Sequence, residues 1–168
     1  MKTVTVKALD NSQEWPVIAE DTTLHRNAVA FEVWLSDEEV SEWACLTNSY
    51  GYNELYACEC VSSYKAKQNI DSIQIISIGK YNEDIYQNQI INKFCFAESV
   101  YNSTLSDLYI SMDELVESLN NLVLSGSMVY KFRIFLNSRS IYRSAHFDFK
   151  IYLSDGSIIS RDIQIIIV

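Results

Sequence analysis

Hydrophobic and polar residues alternate along much of the chain, which is the two-residue period of a half-buried β-strand. Near the start, TVTVKAL places Val4 and Val6 on one face of a predicted strand. AVAFEVWL has the same period, with Phe31 on one side and Glu32 and Trp34 on the other. IDSIQIISIG is a third β-rich run. The pattern therefore predicts several strands before the middle of the chain.

The C-terminal part of the chain has the clearest alternation, in the runs MVYKFRIFL, SAHFDFKIYL and SIISRDIQIIIV. Asp155-Gly156 separates the last two runs and suits a tight hairpin, because glycine tolerates a positive φ. The middle run predicts one face for the core and the other for solvent. The predicted core residues are Phe147, Phe149, Ile151 and Leu153, and the residues of the other face are His146, Asp148, Lys150 and Tyr152.

One segment, ISMDELVESLNNLVLSG, has a helical period. Ser111 is a candidate N-cap and Glu114 follows three residues later, which is the capping-box pattern. Leu115 and Leu119 then follow at helical spacing. The sequence therefore predicts one helix at about 111–124.

Many short strands, one intervening helix and a closing antiparallel hairpin predict a mainly β protein. We expect a two-sheet antiparallel β-sandwich with an inserted helix, and the immunoglobulin-like arrangement is its candidate form. An α+β sheet with one helix across it is the alternative. The length of 168 residues, with no internal repeat and no obvious linker, leads us to expect a single β-rich domain over 1–168.

The composition is that of a globular, acidic chain, with 48% hydrophobic residues and a formal net charge of −9. A nucleic-acid partner is not expected, because binding to phosphates requires a basic patch. Adsorption to an anionic membrane surface is disfavoured for the same reason. No stretch approaches the roughly 20 apolar residues of a transmembrane span. The polar start, MKTVTVKALDNSQEW, does not predict a signal peptide.

The cysteines are Cys45, Cys58, Cys60 and Cys95, and YACEC contains two of them. ELYACECVS alternates, so Cys58 and Cys60 are expected on one strand face, with Cα atoms about 6.5–7 Å apart. Their parallel Cβ directions disfavour a mutual bridge, so in an oxidised chain each would pair with Cys45 or Cys95. Buried free thiols are the other interpretation. No metal site is predicted, because structural zinc sites usually combine two close pairs.

Tyrosine is abundant, with eleven residues, and three of them are close together in SYGYNELY. Exposed tyrosines on a β scaffold stack on sugar rings or anchor protein interfaces. Tyrosine is also an ordinary strand residue, so a structural role is the competing interpretation. Tyr50, Tyr52 and Tyr56 are the candidate ligand-binding residues.

The sequence contains no G-x-S-x-G, no phosphate-binding glycine loop, no H-E-x-x-H and no EF-hand loop. No catalytic residue and no cofactor is predicted. His146 shares a predicted strand face with Asp148, and a carboxylate can orient a histidine as a general base. The same two residues are expected on any solvated strand face. An enzyme is therefore not the favoured interpretation.

The stretches TVTVKALDNSQEWPVIAED and IDSIQIISIGKYNEDIYQNQIINKFCF resemble a family of small exported lipoproteins of gut bacteria, whose function is unknown. In that family a cysteine-bearing segment precedes an I-x-S-I-x-I strand and a Tyr-Asn turn, and the chain closes on an Asp-Gly hairpin. The matching features here are Cys58 and Cys60, Ile70 to Ile75, Tyr81-Asn82 and Asp155-Gly156. The chain departs from the family at its start, which has neither a leader nor a lipid-accepting cysteine.

The resemblance implies a β-rich fold, export to the periplasm or outer cell surface, and a lipid anchor upstream of Met1. It implies no catalytic residue. It favours disulfides, because an exported protein meets an oxidising compartment. A cytoplasmic protein is the alternative.

We therefore expect a non-enzymatic, exported and envelope-anchored binding or adhesion module, whose ligand is an unidentified protein or glycan. Two alternatives remain open. One is a small hydrolase that uses His146 and Asp148, and the other is a carbohydrate-binding protein that uses Tyr50, Tyr52 and Tyr56.

Overall fold

The computed structural model describes residues 1–13, 15–19, 21–36, 63–64, 68–99, 109–122, 124–125 and 129–168. Within these ranges there is one α-helix, α1 (Met112–Asn121), and a short 3₁₀ helix at Asn92–Phe94. The strands in chain order are β1 (Thr3–Asp10), β2 (Val17–Ile18), β3 (Thr23–Leu24), β4 (Val29–Ser36), β5 (Ser63–Tyr64), β6 (Ile70–Ser77), β7 (Gln89–Ile90), β8 (Cys95–Ser99), β9 (Leu124–Ser125), β10 (Tyr130–Leu136), β11 (Ser144–Leu153) and β12 (Ile158–Ile167).

Most of these strands form two five-stranded sheets. The first sheet has the order β2-β1-β4-β10-β8, and the second has the order β3-β12-β11-β6-β7. Neighbouring strands are antiparallel, except that β3 pairs with β12 in parallel. A separate two-stranded ladder joins β5 to β9.

The strand order is that of an immunoglobulin-like sandwich. Immunoglobulin domains have strands A, B, E and D in one sheet and C, F and G in the other, and variable-type domains add C′ to the second sheet. Here β1, β4, β10 and β8 occupy the A, B, E and D positions, while β12, β11, β6 and β7 occupy G, F, C and C′. The predicted two-sheet sandwich with an inserted helix is confirmed. The α+β alternative is wrong, because the strands form two sheets.

The core lies between the two sheets and is built from alternate residues of their strands. Phe31 of β4 contacts two rings of β11 edge to face, with ring centroids 5.4 Å from Phe147 and 5.1 Å from Phe149. All three side chains are buried. Edge-to-face pairs contribute about 0.5–1.5 kcal/mol beyond the burial of their surface. The predicted inward face of β11 is thus confirmed, and its rings join the two sheets.

Helix α1 starts with the predicted capping box. Ser111 Oγ accepts a hydrogen bond from the Glu114 N–H (3.3 Å), and the Glu114 carboxylate accepts one from the Ser111 N–H (2.7 Å). The helix ends at Asn121, three residues before the predicted end at 124. Leu122 already has an extended backbone, with φ −72° and ψ 130°, so it lies outside the helix.

Glu32 was expected on the solvent side of β4, but only 2% of its surface is exposed. Its Oε1 accepts a hydrogen bond from Trp34 Nε1 (2.9 Å), and its Oε2 lies 3.3 Å from Lys131 Nζ and 3.5 Å from Arg133 Nε. Long side chains on β4 and β10 therefore cover the carboxylate and neutralise it. The sequence pattern also fails to identify β2, β3 and β7, because two residues are too few to show alternation.

We expect Phe31→Ala to lower the free energy of unfolding by about 3–5 kcal/mol, because it leaves a cavity at the contact between the sheets. Urea denaturation followed by circular dichroism measures the change. Phe96→Ala is the matched control, since Phe96 is 42% exposed. Equal losses in the two variants would contradict the role assigned to Phe31.

Candidate functional site

One end of the sandwich is formed where β1 and β6 begin and where β4 and β11 end, and we call it the loop end. The Lys2 N–H donates to the Ser36 carbonyl (3.0 Å), which joins the start of β1 to the end of β4. The Met1 nitrogen donates to Gln68 Oε1 (3.0 Å), just before β6. The long β4–β6 connection, residues 37–69, therefore leaves and re-enters the sandwich at this end.

The β11–β12 hairpin lies beside the point where this connection returns. The Asn69 N–H donates to Ser154 Oγ (3.1 Å), and the Ser154 N–H donates to the Asn69 carbonyl (2.9 Å). Gln68 Nε2 also donates to the carboxylate of Asp155. In immunoglobulin variable domains, the B–C and F–G loops at this end form part of the binding site.

The predicted Asp155-Gly156 turn is confirmed, with Gly156 at φ +83°. Asp155 Oδ1 accepts hydrogen bonds from Ser157 Oγ (2.6 Å) and from the Ser157 N–H (2.9 Å). These bonds hold the pKa of the Asp155 carboxyl below its ordinary value. The exposed tip of the hairpin is therefore ordered and negatively charged at neutral pH.

Helix α1 anchors the start of β6 at the loop end. Asn120 Oδ1 accepts a hydrogen bond from the Ile70 N–H (2.7 Å), and Asn120 Nδ2 donates to the Ile70 carbonyl (2.8 Å). One side-chain amide thus satisfies both backbone groups of the first residue of β6, as a neighbouring strand would. The β5–β9 ladder also ties the β4–β6 connection to the β8–β10 connection.

The candidate ligand-binding residues Tyr50, Tyr52 and Tyr56 belong to the β4–β6 connection and lie outside the described residues. Cys45, Cys58 and Cys60, with the strand predicted for ELYACECVS, also lie outside them. What the described residues establish is where this connection starts and ends. The role of the tyrosines and the pairing of these cysteines stay predictions.

Cys95 is a buried free thiol at the start of β8. Its Sγ lies 3.5 Å from the Ile91 carbonyl, and burial raises the pKa of the thiol to about 12. A protonated, buried thiol is a poor nucleophile and metal ligand. In the described structure Cys95 therefore acts as a core residue.

His146 faces solvent on β11, as predicted, but its partner is not Asp148. His146 Nε2 lies 3.0 Å from Asp162 Oδ2 on β12, while Asp148 Oδ2 lies 3.6 Å from Lys150 Nζ. The pairing of His146 with Asp148 that a hydrolase would use is thus not formed. Asp148 instead pairs with Lys150, and a diagonal neighbour on the next strand supplies the carboxylate that reaches the imidazole. The Asp155-Gly156 turn sets the register of β11 on β12, and this register makes Asp162 a diagonal neighbour of His146. The turn in the sequence could therefore have identified Asp162 as the partner.

The part of the chain that the structure describes contains no group of three or more His, Cys, Asp or Glu side chains placed to hold one metal ion. None of its helices has the length and hydropathy of a transmembrane span.

Comparisons with known proteins give little similarity. No protein-family model and no curated protein matches the chain. Two solved structures, titled BspA_C_mut and BspA_C_WT, each match at 12% identity with a TM-score of 0.32. The matches cover 97% of this chain and 46% and 50% of those chains, so this chain spans about half their length. Matches this weak carry no argument about the fold, which follows from the strand order of the two sheets.

We expect His146→Ala to raise the pKa of Asp162 towards the ordinary carboxyl value. The hydrogen bond from His146 is the main cause that lowers this pKa in the folded protein, with a backbone hydrogen bond and the charges of His146 and Arg161 as smaller causes. A lowered pKa stabilises the fold above the unfolded value of about 3.9, and this stabilisation is lost as the pH falls through the folded value.

Carboxyl ¹³C shifts followed through an acid titration measure the pKa of Asp162. Tyr152→Phe is the control, because it removes the hydrogen bond to Gln74 on the same face and changes no charge. An unchanged pKa in His146→Ala would show that the imidazole does not bond to Asp162 in solution.

Proposed function

We propose that the chain is a non-enzymatic binding or adhesion module that holds a protein or glycan ligand at the loop end. The main support is the strand order, because it makes residues 37–69 the B–C connection and places its return beside the F–G hairpin. Immunoglobulin variable domains bind through these two connections. A fold does not by itself define a function, so the proposal depends on the residues of this end.

The composition of the B–C connection supports a binding role. It contains the proposed ligand-contacting residues Tyr50, Tyr52 and Tyr56. Tyrosine offers a large contact area with a hydroxyl group, and ordering it costs little conformational entropy. For this reason tyrosine is enriched in binding loops that are supported by a rigid β-sandwich.

The scaffold at the loop end is suited to support such a connection. Asn120 fixes the first residue of β6, and Asn69 and Ser154 join the connection to the hairpin. A loop with fixed ends loses less conformational entropy when it binds a ligand. The anionic Asp155 beside it would favour a neutral or cationic ligand surface.

We further propose that the protein is exported and anchored to the cell envelope. This proposal rests on the resemblance to exported lipoproteins of gut bacteria and predicts that Cys45 forms a disulfide with Cys58 or Cys60. The buried Cys95 would then remain a thiol, so one of the other three cysteines would also be unpaired or bonded to another molecule.

We expect Tyr50→Ala/Tyr52→Ala to weaken binding to a ligand found by screening the wild-type protein on a glycan array and on an array of cell-surface proteins. The two arrays separate a glycan ligand from a protein ligand. Removing two contact tyrosines should weaken binding by about 2 kcal/mol or more, which is at least about thirtyfold in Kd.

The matched control is Tyr86→Ala/Tyr142→Ala. These tyrosines are 59% and 40% exposed and lie on connections at the opposite end of the sandwich. The control should bind as well as the wild type. Equal binding by the Tyr50→Ala/Tyr52→Ala variant, or an equal loss in the control, would reject the loop end as the binding surface.

We expect protein from its native host to show new thiols after reduction and an N-terminal mass increment of the size of a lipid. Intact-mass spectrometry after alkylation, with and without reduction, measures both. The protein must be alkylated in denaturant, because Cys95 is buried and its pKa is raised. Four reactive thiols without reduction, on a chain that begins at Met1, would instead support the cytoplasmic alternative.

A further inference from the structure

A cleft of about 600 Å³ opens at the other end of the sandwich, and we call it the arginine cleft. The turn after β1, the segment between β3 and β4, and the β10–β11 connection form its walls. The polar residues that line it are Asn11, Ser12, His25, Arg26, Asn27 and Arg139. Pockets for small ligands commonly have volumes of about 300–1,000 Å³, so the cleft is large enough for a compact molecule.

The arginine cleft is cationic, although the whole chain has a net charge of −9. No carboxylate side chain is among the described residues that line it. The guanidinium groups of Arg26 and Arg139 form no ion pair with any carboxylate in the described ranges. Asp10, which precedes the lining segment, instead accepts the N–H of Ser12 (2.9 Å). Two arginines that line one cleft and have no ion-pair partner among the described residues favour the binding of an anion.

Hydrogen bonds to main-chain carbonyls hold the walls of the arginine cleft in place. The Arg26 N–H donates to the Val168 carbonyl (3.2 Å), and the Asn11 N–H donates to the Ala28 carbonyl (3.2 Å). Asn82 Nδ2 donates to the Arg139 carbonyl (2.9 Å). Both arginines therefore extend from ordered backbone, and less conformational entropy is lost when a ligand binds.

The lining chemistry indicates the class of ligand. A guanidinium group presents a planar set of donors that matches the oxygens of sulfate and phosphate. Asn11, Ser12 and Asn27 offer both donors and acceptors, which suits the hydroxyl groups of a sugar. We propose that the arginine cleft binds a sugar that carries a tetrahedral oxyanion, as a sulfate or phosphate ester.

This site is independent of the proposed function, because it lies at the opposite end of the sandwich from the loop end. Calorimetric titration of the full chain with glucose 6-sulfate and glucose 6-phosphate tests it, with glucose, inorganic sulfate and inorganic phosphate as comparison probes. We expect saturable binding of an ester, weaker binding of the inorganic ions and none of glucose. The ester that binds more tightly distinguishes a sulfated from a phosphorylated ligand.

Arg26→Ala and Arg139→Ala should each weaken the binding of the ester about tenfold to hundredfold, because each removes a charged hydrogen-bond donor. Arg161→Ala is the matched control: it makes the same change in net charge at an exposed residue of β12 that does not line the cleft. It should bind the ester as the wild type does. Amide shifts of Asn11 and Asn27 during titration of the wild-type protein locate the site without any variant.

The proposal is overturned if neither ester binds saturably, or if shifts occur away from the arginine cleft. It is also overturned if Arg161→Ala loses as much affinity as the two cleft variants, since the binding would then be non-specific. Inorganic ions that bind as tightly as the esters would refute recognition of the sugar.

Discussion

The contact of Phe31 with Phe147 and Phe149 is the interaction on which the sandwich depends. Two sheets stack about 10 Å apart, so large side chains from both must interdigitate to fill the space between them. Strands β4 and β11 occupy the B and F positions, which a disulfide joins in antibody domains. Here buried aromatic rings make that connection. Because this contact fixes one sheet on the other, the connections that cross from sheet to sheet lie together at the two ends of the sandwich.

Charged side chains on the outer faces of the two sheets pair with one another. On the first sheet, Lys7, Glu32, Arg133 and Glu98 form one cross-strand row of alternating charge. Within this row Arg133 bonds to both carboxylates, and Glu32 is covered by its partners. On the second sheet, His146 pairs with Asp162 and Lys150 with Asp148. Because these charges are already paired, these parts of the sheet faces offer few unpaired charges to a ligand.

The two ends of the sandwich differ in charge and in chemistry. The B–C connection begins and ends at the loop end, where Gln68 lies beside the carboxylate of Asp155. The opposite end holds the β6–β7 connection and the arginine cleft, which the β10–β11 connection helps to form. There the Tyr81 hydroxyl donates to the Ser138 carbonyl (3.2 Å), and burial raises the pKa of Tyr81 well above its usual range. A β-sandwich can therefore present different side chains at its two ends.

Local patterns in the sequence determined the long strands, the start of α1 and the Asp155-Gly156 turn, because each depends on residues close together in the chain. Alternation placed Phe147 inside and His146 outside, and the capping box placed Ser111 at the start of the helix. Contacts between distant segments decided the rest. The burial of Glu32 depends on Lys131 and Arg133. The arginine cleft forms because the segment with Arg26 lies near the β10–β11 connection. Such contacts depend on which strands become neighbours, and a two-residue period carries no information about strand order.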